Sequence, residues 1–296
     1  MIDGIFIIDK SEGMTSHDVV SKVRRIIRQK RVGHAGTLDP MATGVLPVVV
    51  GRATRLVEYL AEADKAYRTS ILLGATSDTY DREGVITATP DAVMPSPAEV
   101  ERALDAFRGE IEQVPPMHSA LKIGGQKLYD LARQGIEVER QARHINITWL
   151  EIEAYVPPHL QVFVECSKGT YIRSLAFDLG EKLGTGALLE GLIRTRVAGF
   201  TLDDATTLEG LEAAFAEGTW QESLKAPESI LAGWEIYSIN EATEKAILQG
   251  KAVELANADP QKGSTAAVRG QDGGLLAVVE WNSAASQWQP RKVFGA

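Results

Sequence analysis

Cysteine is almost absent: Cys166 is the single one in 296 residues. Without a second thiol there is no internal disulfide and no cysteine-built metal site. Cys166 ends the run Leu160-Gln161-Val162-Phe163-Val164-Glu165-Cys166, in step with Leu160, Val162 and Val164. That alternation predicts a buried strand position rather than a nucleophile. Long apolar runs are also missing, none approaching the roughly 20 residues that cross a bilayer. The opening Met1-Ile2-Asp3-Gly4-Ile5-Phe6-Ile7 has no basic flank or small-residue cleavage site, so no secretory signal is expected. Together these absences predict a cytoplasmic protein without membrane contact. No group of His, Asp and Glu stands at metal-ligand spacing, which counts against a metal-dependent hydrolase. Neither metal nor cofactor is expected. Positive charge is scarce as well: Lys and Arg number 31 against 40 acidic residues, a net charge of −9. Averaged over the chain, that argues against a nucleic-acid partner.

The distribution of charge argues differently. Between Val19 and Leu38 lie Lys22, Arg24, Arg25, Arg28, Lys30 and Arg31 with no acidic residue, whereas Leu202 to Ile230 is strongly acidic. A basic run is usually a solvated helix face. Here it leads into Gly33-His34-Ala35-Gly36-Thr37-Leu38-Asp39-Pro40-Met41-Ala42-Thr43-Gly44-Val45-Leu46-Pro47, which suits an approach along a phosphate backbone. The glycines allow backbone conformations closed to other residues, and Asp39-Pro40 marks a turn. On local chemistry alone, Asp39 reads as a turn or cap residue.

Ile5 to Asp9 predicts a strand. Thr15 and Asp18 form a capping box opening a helix that buries Val19, Val20, Val23, Ile26 and Ile27. Val45 to Val50 and Ala66 to Leu73 predict strands, with a short helix over 54–61 between them. Ser96-Pro97-Ala98-Glu99 is a second helix start, with Val100, Leu104 and Phe107 as its buried face. Ile145 to Tyr155 and Leu160 to Cys166 predict strands, and Gly169-Thr170-Tyr171-Ile172-Arg173 opens a helix. An acidic helix and linker are expected over 208–233. Beyond Trp234, short glycine-broken strands predict a small β-barrel.

The Gly33–Pro47 segment resembles the signature of the TruB family of tRNA pseudouridine synthases, whose single aspartate is catalytic. Further segments are similar. Lys10, Gly13, Thr15 and Ser16 match a loop of that family in which Ser11 replaces a proline. Lys65-Ala66-Tyr67-Arg68 resembles a motif whose tyrosine lies against the target base. Gly169-Thr170-Tyr171-Ile172-Arg173 resembles a third motif, whose arginine pairs with the aspartate. Gln113 to Lys122 is similar to another family segment, with His118 where tyrosine is usual. Leu192-Ile193-Arg194-Thr195 departs from the family's pattern at Ile193.

The resemblance implies an α+β fold: a bent, mixed, mainly antiparallel sheet flanked by helices, with a C-terminal barrel resembling a PUA domain. It implies a catalytic domain over 1–232, with an RNA-closing insertion near 116–140, and an RNA-binding domain over 233–296. The implied activity is isomerisation of uridine 55 in the T-loop of tRNA by a monomer without a protein partner. Asp39 would be catalytic, held ionised by Arg173. Tyr67 would stack on the uracil, Tyr171 and Leu192 would complete the pocket, and His34 would fill the space left by the flipped base or stack on a flipped neighbour. Lys10, Arg24, Arg28, Arg31, Lys122, Lys127, Arg133 and Arg194 are the candidate RNA contacts. A carboxylate can attack C1′ of the ribose, attack C6 of the ring, or abstract a ribose proton. Two alternatives share the same features: a non-catalytic RNA chaperone, indifferent to loss of Asp39, and a synthase acting on another RNA.

Overall fold

The computed structural model describes residues 2–119, 121–260 and 264–295. The first half carries strands β1 (Gly4–Lys10), β2 (Val32–His34), β3 (Thr43–Val50), β4 (Lys65–Leu73), β5 (Ala75–Ser77), β6 (Ile86–Ala88) and β7 (Gly109–Gln113). Helices α1 (Ser16–Ile27), α2 (Val57–Glu62) and α3 (Pro97–Leu104) lie among them. Next come β8 (Lys122–Ile123), β9 (Gln126–Lys127), α4 (Leu128–Arg133), β10 (Arg143–Val156), β11 (His159–Cys166), α5 (Ile172–Leu183), β12 (Ala187–Val197) and β13 (Phe200–Thr201). The last part holds α6 (Leu208–Glu217), β14 (Leu224–Lys225), β15 (Ile236–Ser238), α7 (Glu241–Leu248), β16 (Thr265–Arg269), β17 (Leu275–Asn282) and β18 (Gln287–Val293).

The two predicted capping boxes form. The Thr15 hydroxyl accepts the Asp18 N–H at 3.1 Å while the Asp18 carboxylate accepts the Thr15 N–H at 2.9 Å. Ser96 and Glu99 repeat the exchange at α3, with Pro97 in its first turn. Both helices then bury most of the apolar faces expected of them, Val19, Val20, Val23 and Ile27 in one, Val100 and Leu104 in the other; Ile26 is half-buried, and Phe107, past the end of α3, is half-buried too.

The strands build a sheet in the order β14-β1-β3-β12-β4-β11-β10-β7, with β2 on β3 and β13 on β12. Its ladders are antiparallel except for β12 on β3, where Arg194 pairs with Gly44. The sheet is therefore mixed and mainly antiparallel, as expected. β1 and β3 are buried along almost their whole length, because apolar clusters pack on both faces. β4 and β11 alternate buried and open positions, so that half of the sheet is covered on one face.

Two expectations are corrected. The acidic helix forms as α6, but the rest of 208–233 is not a linker: α6 packs on α1, and β14 extends the sheet by pairing with β1. Hydrophobic positions Leu208, Leu211 and Phe215 drive this packing beneath the acidic surface. The C-terminal strands form an open ladder β15-β16-β17-β18, with no pairing that closes it into a barrel among the described residues. Ahead of β16, Val253 makes a single bridge to Trp288.

Candidate active site

The Asp39 loop joins β2 to β3 and is pinned from below. Lys10, fully buried, donates from Nζ to the carbonyls of Ser11, Met14 and Pro40 at 3.0, 2.6 and 3.2 Å. Ser16 Oγ accepts the Leu38 N–H at 2.9 Å and lies 3.2 Å from the Leu38 carbonyl. At the far end, Gly44 has φ +99°, and a Cβ there would lie 2.3 Å from the Arg194 carbonyl. Only glycine fits that approach.

Asp39 faces Arg173, which projects from the first turn of α5. Arg173 Nε lies 3.1 Å from Asp39 Oδ2, and Nη2 lies 3.4 Å from Oδ1. The same guanidinium reaches Asp81 Oδ2 at 3.3 Å, and donates to the carbonyls of Thr79 at 3.3 Å and His118 at 2.7 Å. Asp81 is 2% exposed and is held by the Thr79 hydroxyl at 2.6 Å and the Glu83 N–H at 3.0 Å. Two carboxylates thus share one buried arginine.

The expected pairing of Arg173 with Asp39 is present, but its expected electrostatic effect is not the dominant one. Burial pushes the Asp39 carboxyl above its ordinary value; Arg173 opposes that rise, and Asp81 adds to it. The Asp39 side chain nevertheless keeps 34% exposure, because it forms the floor of an open pocket.

That pocket encloses about 600 Å³, a volume suited to a small ligand. Tyr67 on β4 and Leu192 on β12 sit on adjacent strands two residues apart in register, Tyr67 opposite Arg194 and Leu192 opposite Thr69, and both line the pocket. Burial raises the Tyr67 phenol to about 12, so it stays neutral, while Arg194 beside it works in the other direction. Tyr171 and Arg173 close a second side, and His118, Ser119, Tyr129 and Arg133, from the connection between β7 and β10, line the pocket as well. Cys166 lies outside, buried, its thiol raised to about 11, in agreement with an inert strand cysteine.

Two of the candidate RNA contacts, Arg194 and Lys10, are buried. Arg194 is 1% exposed and spends its guanidinium on the Val45 carbonyl at 2.8 Å and the Gly36 carbonyl at 3.0 Å. Lys10 is sealed beneath the loop. Both brace the Asp39 loop, and Arg194 also lines the pocket. Arg24 is tied to the Val32 carbonyl at 2.8 Å and Arg31 to Thr54 at 2.8 Å, though both remain exposed. Arg28 is exposed and lines a groove where Lys22 and Arg25 meet Glu209 and Glu212 of α6. Arg133 lines the pocket. The side chains of Lys122 and Lys127 lie outside the described residues; their backbones pair with each other. His34 is half-buried on β2 opposite Val48, with Nδ1 unpartnered, and does not line the pocket. Burial lowers its pKa.

Three charged pocket residues were given no role by the sequence pattern: Asp81, Glu83 and Lys65. Lys65 shares the Tyr67 face of β4, a signal available from alternation alone. Burial brings its amine down to about 8. Asp81 and Glu83 sit in a loop of mixed polar residues whose chemistry emerges only once Arg173 is placed.

Among solved structures, the chain superposes on one in a Cbf5–Nop10–Gar1 complex with a TM-score of 0.77 and 26% identity, covering 99% of this chain and 85% of that one. A chain of the archaeal box H/ACA sRNP Nop10–Cbf5 complex gives 0.74 and 25%, over 99% and 86%. These likenesses define the pseudouridine synthase fold. Residues 24–172 match the N-terminal domain of TruB family pseudouridylate synthase, and residues 173–232 match the tRNA pseudouridylate synthase B C-terminal domain. The chain is 44% identical over 293 residues to tRNA pseudouridine synthase B of Dehalococcoides mccartyi, covering 99% of this chain and 97% of the relative. It is 45% identical over 298 residues to that of Heliobacterium modesticaldum, covering 99% and 96%. The chain belongs to the TruB family of tRNA pseudouridine synthases, and is an isomerase acting on tRNA.

Proposed function

We propose that this chain converts uridine 55 in the T-loop of tRNA to pseudouridine, with Asp39 as the reacting carboxylate. The observation that carries the reading is the pairing of Asp39, on the floor of a nucleoside-sized pocket, with the buried guanidinium of Arg173. The reaction breaks the N1–C1′ bond, turns the uracil, forms C5–C1′ and releases the C5 proton. No atom is gained or lost apart from that exchange with water. The target base must leave the RNA stack to reach Asp39. Tyr67 offers a neutral ring against its face, and Leu192 an apolar wall that retains the detached base. Arg173 aims the carboxylate.

The C-terminal sheet, with α7 beside it, serves in this reading as a PUA-like RNA-binding domain over 233–296. The insertion over 116–140 closes on the bound arm. The enzyme works as a cytoplasmic monomer without a protein partner or cofactor.

The test is tritium release from C5-labelled uridine in an unmodified tRNA transcript, comparing the native chain with Asp39→Asn. The native chain is expected to release one equivalent from position 55. Asp39→Asn is expected to release none while binding the transcript within about threefold of the native affinity, a change of less than 1 kcal/mol. Turnover by Asp39→Asn, or release from another uridine, overturns the proposal.

A further inference from the structure

Helix α5 brings Arg173 to the pocket, with Tyr171 just ahead of it, yet it has no cap of its own. Tyr171 makes no side-chain capping bond, and no acidic residue stands in the first turn. What holds that end comes from β7. Gln113, its last residue, is 3% exposed. Its Oε1 accepts the Tyr171 N–H at 2.8 Å, and its Nε2 donates to the Tyr171 carbonyl at 3.0 Å. One amide therefore takes both backbone polar atoms of a single residue, which fixes orientation as well as position. Within the same turn, Ser174 Oγ donates to the Val114 carbonyl at 2.9 Å, and Arg173 donates to that of His118. The helix start is laced to residues 113–118, where the chain leaves the sheet for the insertion. Gln113 also pairs with Arg143, where the chain returns.

Arg173 lies two residues beyond the point that Gln113 holds. Its contacts with Asp39 span 3.1 and 3.4 Å, so a drift of half an ångström would separate them as hydrogen bonds.

We propose that Gln113 is a positioning residue for the isomerisation: its carboxamide sets where α5 begins and thereby holds Arg173 against Asp39. The inference rests on the reading that Asp39 reacts with Arg173 at its side. A purely structural glutamine would affect folding alone. A positioning glutamine also affects turnover and its pH dependence, because five charged groups bear on Asp39: Arg173, Asp81, Lys10, Arg194 and Glu83. Loosening Arg173 removes the strongest attraction that favours the ionised carboxylate.

The experiment uses the full chain carrying Gln113→Met, of similar length without the amide, and separately Ser174→Ala. Tritium release is followed as kcat and KM across pH, beside transcript affinity and melting temperature. Gln113→Met is expected to lower kcat by about tenfold or more, as misplacement at a reacting group does. KM and transcript affinity should stay within about twofold, well under the tenfold that corresponds to 1.4 kcal/mol. The acid limb of kcat should move to higher pH. Ser174→Ala should shift kcat and the limb in the same direction by less, and it decides the matter if Gln113→Met does not fold. A lowered melting temperature with kcat and the acid limb unchanged overturns the proposal. Asp39→Asn run in parallel separates the two failures: its turnover would sink the catalytic reading, whereas its inactivity beside unaltered Gln113 and Ser174 variants would sink this inference alone.

Discussion

Asp39 is an ionisable group placed where ionisation is disfavoured. Burial raises its pKa above the ordinary value of 3.8, and Arg173 only partly offsets this because Asp81 draws on the same guanidinium. A carboxyl whose folded pKa exceeds its unfolded value makes the folded state less stable once pH lies above the unfolded pKa. The penalty reaches its full size above the folded pKa and is absent below both. Asp39→Asn, which mimics the neutral form, is thus expected to raise the melting temperature at about pH 8. The gain should shrink as pH falls and vanish below the ordinary carboxyl range. Calorimetry across pH checks this, and a variant less stable at neutral pH than the native chain contradicts it. Such a gain would place the strain where function requires it. The neighbouring carboxylate gives a second prediction. Asp81 pushes the Asp39 pKa up, so Asp81→Asn should move the acid limb of kcat to lower pH, read from tritium release; movement to higher pH rules the account out. Neither effect was legible in the sequence. The family resemblance paired Arg173 with Asp39, but the competing carboxylate lies 42 positions further along the chain and meets Arg173 only after folding.

Among the elements, what the sequence revealed was local. Thr15 with Asp18 and Ser96 with Glu99 carry their own hydrogen-bond partners three residues away, so both helix starts were readable. Tyr67, Leu192 and Arg173 were placed by motif and do converge. Arg194 was misread for the opposite reason: on a strand, an arginine suggests a surface contact, and nothing nearby in the chain announces that its partners are Val45 and Gly36. That arginine is buried because β12 pairs in parallel with β3, a long-range fact. Gly44 is the point of contact, and it carries the consequence for stability. Gly44→Ala forces a side chain into a left-handed φ of +99° and to within 2.3 Å of the Arg194 carbonyl. The expected cost is about 2–4 kcal/mol, from strain and overpacking combined. Urea denaturation measures it, and a loss below about 0.5 kcal/mol, typical of a neutral surface change, would show that the ladder shifts freely.

For the molecule as a whole, the question is whether the C-terminal sheet stands alone. Its inner face has its own cluster, with Ile247, Val268, Val279 and Trp288 among the buried residues. The other face does not belong to it alone: Ala267, Val278 and Phe294 pack in one cluster with Ile5, Ile7, Val49 and Leu56 beneath the catalytic sheet. Polar contacts follow the same seam. Arg52 donates to the Phe294 carbonyl at 2.9 Å, Arg55 to the Val293 carbonyl, and Lys292 pairs with Glu58 at 2.8 Å. Surface ion pairs of this kind contribute little singly, so the apolar contact decides. A ring such as Phe294, 6% exposed, is worth about 3–5 kcal/mol when truncated to alanine. Because that ring belongs to the cluster shared by the two sheets, the native chain is expected to unfold in one calorimetric transition. Phe294→Ala should split it, the C-terminal sheet melting first. If the native chain already melts in two steps, the shared cluster does not couple the sheets, and the C-terminal sheet is held by its own cluster alone.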